Sequence, residues 1–123
     1  MSDIDAASRK FQKELNAGTV ALVLLGVMNR AAEPVYGYQI AKQIEASGRE
    51  VPMMKQGALY PVLRSLEGNG LLVSRVEPSV SGPPRRYYTI TPSGRESLRR
   101  WTEIWQKTKM FVDDTLKGTT DEH

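Results

Sequence analysis

Gln56, Gly57, Tyr60 and Arg64 fall along one side of a helical repeat and bring together an amide, a bare backbone position, a phenol and a guanidinium. That set donates and accepts hydrogen bonds, offers a permanent positive charge and lets a partner approach the main chain closely. It suits recognition rather than bond breaking. Lys55 precedes the group, and a basic pair, Arg85-Arg86, follows later in the chain beside Tyr87. What is missing narrows the chemistry further. There is no Cys, and the only His is the terminal His123, so disulfides, thiolate or imidazole metal sites and His-based acid/base work have no residues to use. No phosphate-cradling glycine loop is present either. No catalytic residue, metal or cofactor is expected, and the chain is not expected to be an enzyme.

The elements that must position these residues can be read from spacing. Leu59, Val62, Leu63 and Leu66 lie at i, i+3, i+4 and i+7, opposite the polar group, so a helix starting near Gln56 buries one stripe and presents the other. Pro61 is tolerable only near a helix start, which agrees with that boundary. Gly68-Asn69-Gly70 ends the helix, with Gly70 suited to the left-handed position. Two extended segments follow, Leu71 to Glu77 and Arg85 to Thr91, joined by a Ser/Gly/Pro-rich loop. Leu71, Val73, Tyr88 and Ile90 are expected to face the core. A short helix followed at once by a ribbon with a basic return strand is the layout of a winged helix-turn-helix.

The rest of the chain frames that unit. Residues 1–10 are polar and without useful periodicity, and are expected to form a mobile arm. Residues 11–29 predict a helix buried almost all round, broken by Pro34. Tyr36 to Ser47 predicts the first helix of the helix-turn-helix, with Gly37, Ile40, Ala41 and Ile44 inward and Gly48 as its stop. Residues 49–54 form a linker with Pro52 and two Met residues. Thr91-Pro92 is a strong helix start. From there to about Lys117, Leu98, Trp101, Ile104, Trp105, Phe111, Val112 and Leu116 make a broad apolar stripe, more than a compact domain can cover alone, so a second copy of the chain is expected against it.

The resulting fold class is mainly α with a small β-ribbon: a winged helix-turn-helix over 11–91, a dimerisation helix over 92–117 and a polar tail over 118–123. A chain of 123 residues holds one domain of this size. Its net charge is only +3, but between Lys55 and Arg100 eight basic residues face three acidic ones, so the positive charge lies on the helix and ribbon. The longest apolar run, Val20 to Met28, is too short to span a bilayer and no signal-peptide layout opens the chain, so a cytoplasmic protein without membrane contact is expected.

Four blocks, Tyr36-Gly37-Tyr38-Gln39-Ile40, Gly57-Ala58-Leu59-Tyr60-Pro61-Val62-Leu63, Leu66-Glu67-x-x-Gly70-Leu71-Leu72 and Arg85-Arg86-Tyr87-Tyr88-Thr89-Ile90-Thr91-Pro92-x-Gly94-Arg95, together resemble the PadR-like transcriptional regulators over roughly residues 12 to 117. With a single C-terminal helix the chain looks like the short branch of that family, which implies a dimeric winged-helix repressor. Ala58 departs from the pattern, since the family more often carries Thr there. In multidrug-responsive members of the branch, flat aromatic compounds bind between tryptophans at the dimer interface; Trp105 falls at the corresponding distance beyond Gly94, and Trp101 lies one turn earlier.

The expected function is therefore sequence-specific DNA binding by a ligand-responsive repressor, as a homodimer on a roughly palindromic operator. The candidate DNA-contacting residues are Tyr38, Lys55, Gln56, Gly57, Tyr60, Arg64, Arg85 and Arg86, and the candidate ligand-binding residues are Trp101 and Trp105. Each has a plainer reading: a solvated helix face for the first group, an edge strand kept soluble by charge for the arginine pair, and dimer packing for the tryptophans. The rival from another class is a protein-interaction module that uses the winged fold without specific DNA recognition.

Overall fold

A computed structural model of the chain describes residues 3–46 and 56–119; the expected stop at Gly48, the linker at 49–54 and Lys55 lie outside the described residues. The elements run α1 (Asp3–Arg30), β1 (Val35–Tyr36), α2 (Gly37–Ala46), α3 (Gln56–Gly68), β2 (Leu72–Glu77), β3 (Arg85–Ile90) and α4 (Pro92–Leu116). Three helices and a small sheet close around one core, in which Leu24, Leu25, Met28, Ile40, Leu59, Leu63 and Leu72 are essentially inaccessible.

α1 departs from the sequence reading twice. The segment expected to be a mobile arm over 1–10 is helical from Asp3, where Asp3 and Asp5 sit in a first turn whose exposed N–H groups favour negative charge, with Arg30 complementing the other end. The helix is also not buried all round. Only Val20, Leu24, Leu25 and Met28 are buried, all in its C-terminal half, and Leu15 and Val23 are exposed. An exposed run of good helix formers shows no apolar period, so periodicity alone misses it.

The sheet has three strands in the order β1-β3-β2, both pairings antiparallel. β1, too short to register as a strand in sequence, places Val35 opposite Tyr88 and Tyr36 opposite Tyr87. On β2 the inward residue is Leu72 rather than Val73, which is 54% exposed. The register explains this: Leu72 pairs with Ile90 and Ser74 with Tyr88, and residues directly opposite share a face.

Helix ends fix the angles between elements. α3 closes with the Gly70 N–H on the Glu67 carbonyl and the Leu71 N–H on the Leu66 carbonyl, both at 2.9 Å, with Gly70 at φ 78°. This double closure needs a left-handed residue and brings buried Leu66 and Leu71 together, turning the chain straight into β2. Thr91 caps α4 by accepting the Gly94 N–H at Oγ1, 2.9 Å, while the same hydroxyl donates to the Gly70 carbonyl at 2.7 Å. One side chain thus ties the start of α4 to the end of α3. Among the described residues, no helix is long and apolar enough to cross a membrane.

Candidate nucleic-acid interface

α3 presents Arg64 to solvent and turns Leu59, Leu63 and Leu66 into the core, as the helical spacing requires. Tyr60 is half-buried: its ring packs against the core and onto Gly37 at the start of α2. Gln56, Gly57 and Ala58 open α3, and only their backbone is described.

Between α2, α3 and β3 lies a cleft of ≈ 340 Å³ whose wall includes Tyr36, Tyr38, Tyr60, Arg64, Arg85, Arg86 and Tyr88. All seven stand out in the sequence, and the fold brings them together from four elements, β1, α2, α3 and β3. Tyr38 is 46% exposed and stacks on Tyr36 with ring centroids 6.2 Å apart, while the Lys42 ammonium lies 5.4 Å from its centroid. Tyr36 also meets Tyr87 edge-on at 5.5 Å. The Arg85 guanidinium sits 4.7 Å over the Tyr36 ring, within the range of cation–π attraction. The two arginines therefore occupy different settings. Arg85 lies on a tyrosine of β1, and Arg86, on the opposite face of β3, donates from Nη1 to Ser74 Oγ at 3.0 Å.

Ser74 in turn donates to Glu67 Oε2 at 2.5 Å. Neither Glu67 nor Ser74 was marked as functional from sequence, because the misplaced alternation on β2 turned Ser74 away from the helix. The usable signal was the parity of the hairpin: once Tyr88 is inward, its partner Ser74 is inward too. Burial, helped by the Glu67 carboxylate, pushes the Tyr88 hydroxyl above the ordinary tyrosine value, the nearby Arg86 and Arg64 opposing in part.

A second cleft, of ≈ 330 Å³, runs between α1 and α4 and is lined by Leu15, Leu22, Trp101, Ile104, Trp105 and the small residues Gly18, Thr19 and Thr108. Trp101 is half-buried against the core, whereas Trp105 is 39% exposed. Beyond them α4 stands clear of the domain, with Met110, Phe111, Val112 and Leu116 all exposed. The charge clusters at its two ends find partners on their own helix. Arg99 and Arg100 both hold Glu96, keeping its carboxyl below the usual range mainly through the Arg100 hydrogen bond, and Lys109 and Lys117 pair with Asp113 and Asp114.

A helix-turn-helix followed by an antiparallel ribbon, with exposed cations on both the second helix and the ribbon, defines the winged helix-turn-helix class. Comparison with known proteins places the chain within it. The profile of the Transcriptional regulator PadR-like family matches residues 24–100. The transcriptional regulator Rv3488 of Mycobacterium tuberculosis is 37% identical over 91 residues, which is 73% of this chain and 75% of that protein. Among solved structures, a PadR family transcriptional regulator from Eggerthella lenta superposes with a TM-score of 0.73 at 31% identity, covering 92% of this chain and 95% of that one. A transcriptional regulator from Clostridium thermocellum gives 0.71 at 29% identity, covering 82% and 93%. The chain belongs to the PadR-like family of transcriptional regulators, which are DNA-binding proteins rather than enzymes.

Proposed function

We propose that the protein is a ligand-responsive repressor that binds a roughly palindromic operator as a homodimer, with α3 in the major groove and the β2–β3 wing on the flanking backbone. The observation that carries this reading is the convergence of Arg64, Arg86, Tyr38 and Tyr60 on one open cleft between the second helix and the wing. Arg64 lies on the outward face of α3, where a guanidinium reaches base edges or phosphate. Tyr38, Gln56 and Gly57 flank it, and Arg85 and Arg86 supply the wing's positive charge. Lys55 adds a phosphate contact before α3 in this reading.

The unpartnered apolar face of α4 supports the homodimer, because an exposed stripe of this length needs a complementary surface, and a second copy supplies one. Dimerisation through α4 sets the distance between two α3 helices and hence the spacing of half-sites. The cleft holding Trp101 and Trp105 supports a flat aromatic effector: it is apolar, lies beside that face, and an occupant there alters the spacing of the two heads.

The test is fluorescence anisotropy on a duplex recovered from random-sequence DNA by the wild-type protein. Arg64→Ala should leave dimerisation intact and weaken operator binding by about 1–3 kcal/mol. Wild-type binding should fall steeply with salt, as counterion release demands. Wild-type affinity in the Arg64 variant, or binding insensitive to salt, favours the protein-interaction module instead.

A further inference from the structure

Glu67 is placed where two electrostatic rules disfavour it. It lies in the last turn of α3, the negative end of the helix dipole, three residues along from Arg64 and one serine hydroxyl away from Arg86, the cations that in the proposed function meet a polyanion. Neither helix stability nor DNA attraction accounts for a carboxylate there. Its contacts do. Ser74 Oγ donates to Glu67 Oε2 at 2.5 Å and accepts from Arg86 Nη1 at 3.0 Å, so a single hydroxyl links the carboxylate on α3 to the guanidinium on β3. The relay is directional: the serine proton is committed to Glu67, which leaves its lone pairs for the arginine. Ser74 lies opposite Tyr88, and Arg86 shares that face of β3, so the relay spans the crook between recognition helix and wing.

An arginine on a ribbon has several rotatable bonds and loses their freedom whenever it contacts a ligand. One already held by a neighbour loses less on binding. We propose that Glu67 and Ser74 are positioning residues that aim the Arg86 guanidinium at DNA and couple the setting of the wing to that of α3. This rests on the DNA-binding reading above and adds a consequence of opposite sign to simple electrostatics. Removing the Glu67 charge would strengthen binding to any DNA if charge alone mattered. If Glu67 orients Arg86, the same change weakens binding to the operator while leaving or strengthening binding to unrelated duplex.

The experiment compares Glu67→Gln, Ser74→Ala, Ser74→Thr and Arg86→Ala on the selected operator duplex and on a scrambled duplex of equal length, each over a salt series. Ser74→Ala changes no charge and should lower operator affinity by about three- to tenfold, a coupling usual for contacting groups. Ser74→Thr keeps the hydroxyl and should restore it. The slope of log affinity against log salt should drop by about one for Arg86→Ala and move the same way for Ser74→Ala. Ser74→Ala added to Arg86→Ala should change nothing more. A purely structural role for Ser74 would lower the melting temperature without moving the salt slope. Operator binding unchanged or tighter in both Glu67→Gln and Ser74→Ala, with Arg86→Ala still weakened, overturns the relay and leaves the DNA reading standing. Unchanged binding in Arg86→Ala removes the wing contact itself, and the relay with it.

Discussion

The ring of Tyr60 lies against the bare α-carbon of Gly37: a methyl built on that glycine would stand 2.6 Å from Tyr60 Cε1 and 3.0 Å from Cζ. Gly37 opens α2 and Tyr60 lies about one turn into the site helix, so this close approach sets how tightly the two helices of the DNA-binding unit cross. Side-chain absence is what the contact requires, since the Gly37 backbone has no positive φ.

Gly37→Ala must therefore push the Tyr60 ring outward into the cleft. Overpacking of this kind costs about 1–3 kcal/mol, set against a gain of no more than about 1 kcal/mol from replacing a helical glycine. We expect a lower melting temperature together with weaker operator binding, and partial recovery of stability, but not of binding, when Tyr60→Leu is added. An alanine variant that melts at or above the wild-type temperature would refute the contact's importance.

Gly94 makes a harder version of the same demand. A Cβ there would lie 2.2 Å from the Leu71 carbonyl oxygen and 2.7 Å from Ile90 Cγ1. The Leu71 carbonyl also accepts the Thr91 N–H at 3.1 Å and so cannot rotate away without breaking the start of α4. Gly94→Ala is expected to cost about 3 kcal/mol. Gly26→Ala, about one turn before the C-terminal end of α1 and with open space where its Cβ would stand, should instead stabilise by about 0.5–1 kcal/mol. Urea denaturation of the two variants settles it: shifts of the midpoint in the same direction contradict the packing described.

How much of this was legible in sequence follows the physics of each signal. α3 and α4 were legible because apolar residues recur at helical spacing and their ends carry Gly70 and Thr91-Pro92, which act locally. Residues 3–10 of α1 were not, because a fully exposed stretch of helix has no buried face to pattern it. β1 was too short to show alternation, and it exists because Tyr88 and Tyr87 offer it a partner. The exposed placement of Arg64 on α3 and Arg86 on the ribbon was legible from charge and helical or strand position. The Glu67–Ser74 link was hidden, since it depends on hairpin register, a long-range property that a one-residue slip in reading inverts.

The outer half of α4 leads to a prediction about assembly. Phe111 is 73% exposed, and Ile104 and Met110 stand out beside it, while Phe11 and Ile4 leave the N-terminal half of α1 uncovered in the single chain. Burying a charge among such residues is costly without a partner. Phe111→Arg is expected to give a monomer in analytical ultracentrifugation at micromolar concentration. Operator affinity should collapse with it, because one half-site supplies only part of the contacts. Sedimentation of that variant as a wild-type dimer would place the interface elsewhere.

Tyr88 links the core to solution pH. Its side chain is 3% exposed, and burial first, then the Glu67 carboxylate, raises its hydroxyl above the ordinary value of 10.0. In the unfolded chain the phenol ionises near that value, while in the folded chain it keeps its proton to higher pH. The folded state therefore binds the extra proton, and the stability this represents is fully present below about pH 10 and is lost as pH climbs through the raised value. One proton imposes a slope of at most about 1.4 kcal/mol per pH unit. Urea midpoints measured from pH 9 to 11 should fall for the wild type and fall less for Tyr88→Phe, which keeps the ring and removes the titrating group. Parallel curves would mean that the Tyr88 hydroxyl ionises as freely in the folded protein as in the unfolded chain, and that the cleft floor beneath Arg64 and Arg86 is wetter than its packing indicates.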